Sequence, residues 1–431
     1  MRRALIALGL LTALGAFGVV THQLRKPTPT GAALGVADPM NDITPVGLEV
    51  LPRGVVEGRF AVRGPDGWQV IDAADIDQAM REVPGAKDAE PLVYTHASGS
   101  PNDPRYPHQW NLHVLDMPSA WDSSQGQGVV VAVLDTGVSQ QLDGYVDLLD
   151  GWDVTSGRPG AEDDGWHGTH VAAVIAQSTN NNEGVASVAP QATLLPVKVL
   201  DAYGGGNSVD LANGIRWAVD HGADIINLSL GLDQPSTPVQ EACEYAWNEG
   251  VLVVAATGND GLRSVQYPAA YDTVIAVAAV DLNLDLTDYS NVGPEVDLVA
   301  PGGDLDADLD GDGLADGVMQ AARFDGEWQY LLAEGTSVAT PHVSAVAALV
   351  MANGVTDPEQ VRQRLLDSAE DLGSPGHDAE TGWGLVDPVA ALKDTPASVD
   401  AESQFTSSWS SVPEGPTEPF GGTPRGCNSG G

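Results

Sequence analysis

The sequence predicts an α/β fold, in which a doubly wound, mostly parallel sheet is flanked by helices. Five short apolar runs rich in Val, Ile and Leu predict its strands: residues 129–134, 194–200, 225–230, 251–256 and 274–280. These runs do not alternate with polar residues, as strands buried on both faces require. Helical periodicity predicts the crossovers and a later helix, in residues 209–219, 239–247 and 340–351.

The composition restricts the classes of partner. The 431 residues include 60 acidic and 19 basic side chains, which gives a formal net charge of −41. This charge repels phosphate backbones and anionic membrane surfaces, so nucleic acid is not expected as a partner. The two cysteines, Cys243 and Cys427, are too few for a disulfide framework. We expect a monomer that is stabilised by a large core or by bound ions.

The first 26 residues predict an export signal. Arg2 and Arg3 precede an uncharged, mostly apolar run over residues 4–20, as in secretory signals. The run is slightly short for a membrane span, and the small-residue cleavage site at residues 16–18 is imperfect. A cleaved signal peptide and an uncleaved signal anchor both remain open. The predicted location is secreted or extracytoplasmic, with the membrane contacted only through this segment.

Shifts in composition divide the rest of the chain into four parts. A Pro-rich linker covers residues 27–38, and a small α+β unit with two strand-like runs and one helical pattern covers residues 39–101. The large α/β domain covers residues 102–394. The tail, residues 395–431, is rich in Ser, Pro, Gly and Glu, so it cannot bury enough apolar area to fold and is predicted to be disordered.

Three segments of the α/β domain contain candidate catalytic residues. Asp135 ends an apolar strand in VVVAVLDTGV, His167 and His170 open a small-residue helix in WHGTHVAAVIA, and Ser337 precedes the helix in GTSVATPHVSAVAALV. Pro341 suits the first turn of that helix. Alone, Asp135 is typical of a turn cap and Ser337 of a helix N-cap. The spacing of the two histidines suggests metal ligands, but no nearby glutamate completes a zinc motif, so a metal is not expected there.

Together, and in the order Asp, His, Ser, the three segments resemble the signatures of the subtilisin-like serine proteases, the subtilase family. The separations also fit, with 32 residues from Asp135 to His167 and 170 from His167 to Ser337. The resemblance implies that Asp135 orients His167, that His167 is the general base, and that Ser337 is the nucleophile. It makes His170 and His342 structural residues.

The resemblance covers residues 102–392 and implies further roles. TGND resembles the segment with the oxyanion-hole asparagine, which falls on Asn259. The segment Ser229, Leu230 and Gly231 resembles the strand that pairs with an extended protein or peptide substrate. The segment Ala256, Thr257 and Gly258 resembles the opposite wall of the specificity pocket. The α+β unit before residue 102 occupies the place of the family's inhibitory propeptide, which makes the chain's own propeptide a partner.

The segment GGDLDADLDGDGLADG predicts structural Ca²⁺. Four carboxylates stand at positions 1, 3, 5 and 9 of a calcium loop, with glycine at position 6: Asp308, Asp310, Asp312 and Asp316. Met319 replaces the glutamate of position 12, so Asp304 or Asp306 would supply the missing oxygens. A solvated acidic loop is the alternative. A second candidate site combines Asp147 with Asn181, in a stretch that is similar to the family's calcium-binding loop.

The sequence therefore predicts an exported serine endopeptidase that is made as an inhibited precursor and stabilised by calcium. Two alternatives from other classes remain. A catalytically silent family member would use the same groove only to bind extended peptides, and a calcium-dependent surface scaffold would rest on the acidic loop alone.

Overall fold

The computed structural model describes residues 19–20, 54–65, 67–73, 76–94, 100–140, 143–324 and 327–393. The predicted linker and tail lie outside the described residues, as does all of the predicted export signal except Val19 and Val20. Among the helices that are described, none has both the length and the apolar composition needed to cross a membrane. The described residues up to Leu392 belong to one compact unit.

A small antiparallel sheet with one helix forms within the predicted N-terminal unit. After the two-residue strand β1 (Val19–Val20), its elements are β2 (Gly54–Gly64), β3 (Gly67–Asp72), α1 (Ile76–Glu82) and β4 (Asp88–Tyr94). The strands pair in the order β3-β2-β4. Val62, Ala79 and Val83 are buried between the sheet and α1, so this unit has a small apolar core of its own, as an α+β unit requires.

The central sheet belongs to the large domain and confirms the predicted doubly wound α/β fold. Its strands are β5 (Val130–Asp135), β6 (Asp147–Leu148), β7 (Trp152–Asp153), β8 (Arg158–Pro159), β9 (Thr193–Lys198), β10 (Ile225–Leu228), β11 (Leu252–Ala256), β12 (Val274–Val280) and β13 (Leu298–Pro301). The order is β13-β12-β11-β10-β5-β9-β7-β8, with β6 beside β9. All pairs are parallel except β7 with β8. The apolar runs form strands whose residues are nearly all buried, which explains why their sequences lack alternation.

Helices cover both faces of this sheet. After a 3₁₀ turn at Tyr106–His108, they are α2 (Trp110–Val114), α3 (Met117–Trp121), α4 (His167–Ala176), α5 (Ser208–Asp220), α6 (Thr237–Asn248), α7 (Thr336–Ala352), α8 (Pro358–Ser368) and α9 (Pro388–Ala391). The Asn207 side chain starts α5 by accepting hydrogen bonds from two backbone N–H groups, and the Asp357 side chain starts α8 by accepting one, from Gln360.

Helix α7 begins earlier than its sequence suggests. All but the last of its 17 residues are buried, which accounts for its lack of a polar face. The sequence predicts that Pro341 lies in the first turn of this helix. Because the helix begins at Thr336, Pro341 lies further inside it. Proline has no N–H to donate to the carbonyl four residues earlier, that of Ser337. The Ser229 hydroxyl donates to this carbonyl instead, at 2.7 Å.

A long hairpin precedes α7. Strands β14 (Val318–Phe324) and β15 (Glu327–Ala333) pair antiparallel, and β1 pairs with the far end of β15. The hairpin packs on α4, with the Phe324 ring edge-on to the ring of Trp166. Because Val318 pairs with Ala333, the acidic segment before β14 and the first turn of α7 after β15 lie at the same end of the hairpin.

The strand order creates a crevice at the carboxyl ends of β5 and β10. The chain passes from β5 to its neighbour β9, and then crosses to β10 on the other side of β5. The loops that leave β5 and β10 thus diverge, and ligands of open α/β sheets bind at such a point. Asp135 ends β5 and Ser229 directly follows β10, so both lie at this crevice.

Candidate active site

The first catalytic candidates form a buried pair at the end of β5. Asp135 is fully buried as the last residue of that strand, and His167 opens α4 with only 8% of its surface exposed. His167 Nδ1 lies 2.9 Å from both carboxylate oxygens of Asp135. This contact orients the ring so that Nε2 faces away from the carboxylate and is available for proton transfer.

The pKa of His167 is raised above its ordinary value of 6.5. Burial by itself lowers this pKa, because it disfavours the imidazolium. The charge and hydrogen bond of Asp135 outweigh burial, and the charge of Asp163 adds to the same effect. The electrostatics therefore favour the protonated ring, which is the state that a general base reaches during catalysis.

Asp163 is a buried carboxylate that sequence reasoning missed. Its two oxygens accept hydrogen bonds from the hydroxyls of Thr136 and Thr169 and from the backbone N–H groups of Gly165 and Thr169, at 2.6 to 3.0 Å. These contacts join the loop after β5 to the first turn of α4. Asp163 thus holds together the two elements that carry Asp135 and His167. An acidic residue just before a helix N-terminus is the signal that could have identified it.

Activity is expected to fall as the pH drops through the raised pKa of His167. Only the neutral imidazole accepts a proton, so activity is present above this pKa and lost below it. Asp163→Asn removes a negative charge that stabilises the imidazolium, so the acid limb of kcat/KM should move to lower pH. The measurement is the pH profile of peptide hydrolysis for both proteins.

Asp164→Asn is the matched control for this shift. Asp164 is adjacent in sequence, but its side chain is 60% exposed and pairs with Lys198 at 2.7 Å. Solvent screens an exposed charge, so its removal should move the acid limb less. Equal shifts in the two variants, or an acid limb that Asp163→Asn leaves in place, would contradict the role of Asp163.

Ser337 lies in the first turn of α7 and is 3% exposed. Within the described part of the chain its Oγ has no hydrogen-bond partner. The Asn259 side chain lies next to it with a defined orientation, because its Oδ1 accepts both the N–H and the hydroxyl of Thr336 at 2.8 Å. The amide nitrogen Nδ2 of Asn259 is therefore directed away from Thr336.

Gly335 marks the space that Ser337 and Asn259 share. A Cβ atom on Gly335 would lie 3.1 Å from Ser337 Oγ and 3.3 Å from Asn259 Nδ2. Its φ of 140° also disfavours any residue with a side chain. Glycine thus leaves room for a small group between the Ser337 hydroxyl and the Asn259 amide. That is the arrangement which an oxyanion requires.

The two predicted substrate walls follow the neighbouring strands β10 and β11. On the first wall, Ser229 is buried and its hydroxyl is bound to the Ser337 carbonyl, whereas Leu230 is half-buried and Gly231 exposed. On the second wall, Ala256, Thr257 and Gly258 are all buried. The Ser229 hydroxyl is thus engaged with the first turn of α7.

His170 and His342 lie away from these contacts. His170 Nε2 is 3.2 Å from the carbonyl of Val318, and His342 Nε2 is 2.8 Å from Asn111 Nδ2. Burial lowers the pKa of each to about 4, and the charge of His167 adds to this effect for His170. Both histidines therefore remain neutral over the range in which His167 titrates.

The acidic segment before β14 brings three of its four predicted ligands together. Carboxylate oxygens of Asp308, Asp310 and Asp316 all lie within 4.8 Å of one another. Burial raises the pKa of Asp316, and the neighbouring carboxylates raise it further. Asp312 departs from the prediction, because its Oδ2 lies 2.8 Å from Nδ1 of His108.

The second predicted calcium pair is not brought together. Asp147 is exposed and accepts a hydrogen bond from the Thr193 hydroxyl at 2.9 Å. Asn181 contacts Asp143 instead, and its Nδ2 lies 2.6 Å from Asp143 Oδ1. Asp103 lies in the same region, where it accepts the N–H groups of Asn181 and its neighbour. The sequence missed Asp103 and Asp143 because their contacts with Asn181 join segments that are far apart in the chain.

The sequence profile of the subtilase family matches residues 126–384, which include Asp135, His167, Asn259 and Ser337. The chain belongs to the subtilase family of serine endopeptidases. A "Thermophilic serine proteinase" of Bacillus sp. (strain AK1) is 38% identical to this subtilase over 69% of the chain and 71% of the relative. "Thermitase" of Thermoactinomyces vulgaris is 37% identical over 64% of the chain and 94% of the relative.

A solved structure shows the same fold. It is described as a protease from Pseudoalteromonas arctica PAMC 21717, and it covers 68% of this subtilase and 98% of its own chain. The TM-score is 0.62 and the sequence identity is 35%. The predicted membership of the family is thereby confirmed.

Proposed function

We propose that this subtilase is an exported endopeptidase that cleaves extended peptides through an acyl-enzyme. One observation carries the catalytic assignment. Asp135 and His167 form a buried pair at the end of β5, and at the same crevice the Ser337 Oγ and the Asn259 amide border one small space. Nucleophile, base, orienting carboxylate and oxyanion donor are the four groups that peptide hydrolysis of this type needs.

The chemistry follows from these positions. Ser337 Oγ attacks the peptide carbonyl carbon while His167 Nε2 takes the hydroxyl proton, and Asp135 stabilises the imidazolium. The resulting oxyanion accepts hydrogen bonds from Asn259 Nδ2 and the backbone N–H of Ser337. His167 then returns the proton to the leaving amine, and a water molecule releases the acyl group by the same steps. Chain segments 229–231 and 256–258 would hold the substrate backbone.

Hydrolysis of casein is the test that separates this function from the two alternatives. We expect casein to be cleaved, and a fluorophosphonate that labels Ser337 to abolish the cleavage. A catalytically silent peptide binder or a surface scaffold would cleave nothing and would not be labelled. Labelling followed by mass spectrometry identifies the serine, so a contaminating protease cannot produce the expected result.

Export and synthesis as an inhibited precursor complete the proposal. The apolar run at residues 4–20 supports export, and the small sheet of residues 54–94 supports a propeptide, since both precede the catalytic domain. The connecting segment around residues 95–101 contains Ser98, Gly99, Ser100 and Pro101, which favour a loop, so an active site can accept it in extended form. Cleavage there would release the catalytic domain.

We propose structural Ca²⁺ at two places. Asp308, Asp310 and Asp316 offer converging carboxylate oxygens, the ligand type that Ca²⁺ prefers, and their mutual repulsion is relieved by a bound cation. At the second place the oxygens belong to Asp143 and Asn181, which replaces the pairing of Asn181 with Asp147. Burial raises the pKa of Asp143, as it does for a carboxylate that lacks a cation.

Removal of calcium is expected to lower the melting temperature. A ligand that binds only the native state stabilises it by about 2.7 kcal/mol at a hundredfold excess over Kd. Thermal unfolding in EGTA and across a calcium titration measures the effect. Asp308→Asn combined with Asp310→Asn should reduce the response to calcium, whereas Asp312→Asn should preserve more of it. A melting temperature that is independent of calcium would contradict the proposal.

A further inference from the structure

The gap between the two substrate walls is closed by the segment that contains Gln266. The backbone N–H of Gln266 donates to the Thr257 carbonyl at 2.9 Å. The next residue, Tyr267, exchanges two backbone hydrogen bonds with Leu232, at 2.6 and 3.0 Å. One short segment is therefore bonded to Thr257 within the second wall and to Leu232, the residue that follows the first wall.

The Gln266 side chain fills the closed end of this gap. A Cβ atom on Gly231 would overlap Gln266 Oε1, and a Cβ atom on Gly258 would lie 2.8 Å from the same oxygen. The two glycines belong to opposite walls, so the amide oxygen lies against both. A large ring that entered between the walls would meet this side chain.

Two carboxylates determine which end of the Gln266 amide faces the walls. Its Nε2 donates to Asp233 Oδ1 at 3.0 Å and to Asp260 Oδ2 at 3.2 Å. Carboxylates accept hydrogen bonds and an amide oxygen cannot donate one, so the orientation is unambiguous. Oε1 is consequently presented as an acceptor beside Gly231 and Gly258.

The surroundings of Gln266 are negative. The adjoining cavity has a volume of about 300 Å³, and its lining includes the carboxylates of Asp233, Asp260 and Glu295. The cation in the lining, Arg263, is paired with Glu380 at 2.7 Å. The lining thus contains three carboxylates and an oriented amide oxygen, whereas its guanidinium is already paired with another carboxylate. The net charge of −41 attracts cationic peptides to the whole molecule as well.

We propose that Gln266, oriented by Asp233 and Asp260, selects substrates with Lys or Arg on the acyl side of the cleaved bond. A long, narrow cationic side chain can pass between Gly231 and Gly258 of the two substrate walls. It can then donate to Gln266 Oε1 and approach the two carboxylates. A Phe side chain has no donor, and its ring competes with the Gln266 side chain for space. This inference rests on the proposed endopeptidase function and on its two substrate walls.

The test uses a series of tetrapeptide nitroanilides that differ only in the residue before the cleaved bond: Lys, Arg, Gln, Leu or Phe. For the mature wild-type protein, kcat/KM should be at least roughly tenfold higher for Lys than for Phe, a difference of about 1.4 kcal/mol. Gln266→Gly should raise kcat/KM for Phe about tenfold and so remove the preference. Active-site titration with a fluorophosphonate corrects every value for the folded, competent fraction.

Two further variants separate charge from bulk. Gln266→Leu retains the bulk but loses the acceptor, so we expect the rate for Lys to fall while the rate for Phe stays low. Asp233→Asn with Asp260→Asn should reduce the rate for Lys about tenfold and leave the rate for Phe unchanged. A wild-type preference for Phe or Leu that Gln266→Gly does not alter would overturn this inference but not the proposed endopeptidase function. Absence of both labelling and hydrolysis for every peptide would overturn the proposed function itself.

Discussion

Ser337→Ala is expected to reduce kcat about a million-fold, the loss that follows removal of the nucleophile in subtilisin, another member of the family. Alanine cannot form the acyl-enzyme, and only oxyanion binding and substrate binding remain to assist water, at roughly 10³-fold over the uncatalysed rate. The variant should fold normally, because the Ser337 Oγ accepts and donates no hydrogen bond among the described residues. Peptide hydrolysis and thermal unfolding of the two proteins measure both parts.

The same variant tests self-processing. If Ser337 cleaves its own precursor, Ser337→Ala should remain uncut between residues 94 and 102, with external proteases inhibited and the N-terminus read by mass spectrometry. Ser368→Ala is a suitable control, since this serine lies at the end of α8 and bonds only a carbonyl in its own helix. Maturation of Ser337→Ala at the wild-type bond and rate would assign processing to another protease. Full activity of this variant would refute the catalytic assignment.

Asn259→Ala is expected to lower kcat by about 10²–10³ with little change in KM. The magnitude is the one known for the corresponding asparagine of subtilisin, and it applies here because Nδ2 of Asn259 borders the same space as Ser337 Oγ. The oxyanion exists only after attack, so its loss affects the transition state and not substrate binding. Steady-state kinetics on one peptide substrate separate kcat from KM.

Asn259→Asp provides a second test of this prediction. Aspartate retains the oxygen that accepts both hydrogen bonds from Thr336, but it replaces the amide donor with a negative charge. We expect a kcat no higher than that of Asn259→Ala, because the charge repels the oxyanion. Asn248→Ala, at the exposed end of α6, should retain wild-type rates. A kcat within threefold of wild type in Asn259→Ala would exclude Asn259 from the oxyanion site.

The strands were predicted well because their signal is local. Continuous apolar runs identified β5, β9, β10, β11 and β12 to within two residues at nearly every end. Burial on both faces requires this composition whatever the neighbours are. The start of α7 was misjudged by four residues, because the backbone defect at Pro341 is repaired by Ser229, a residue more than a hundred positions away in the chain.

The grouping of the candidate calcium ligands was predicted only in part, for a related reason. Spacing alone placed Asp312 with Asp308, Asp310 and Asp316, but the structure turns Asp312 towards His108, which is 204 residues away. Asp143, not Asp147, reaches Asn181. Ligand spacing describes a loop in isolation, whereas a carboxylate near another element pairs with whichever donor the fold brings close.

The sequence by itself determined the fold class, the family and the three motifs that contain Asp135, His167 and Ser337. Each of these is encoded in a few consecutive residues, since local periodicity and motif chemistry are independent of distant neighbours. Only the tertiary structure decided which side chains surround those motifs. The contacts of Gln266 with Gly231 and Gly258 join segments that no local pattern links. Burial and hydrogen bonding act on neighbours in space, so these contacts emerge only when the chain has folded.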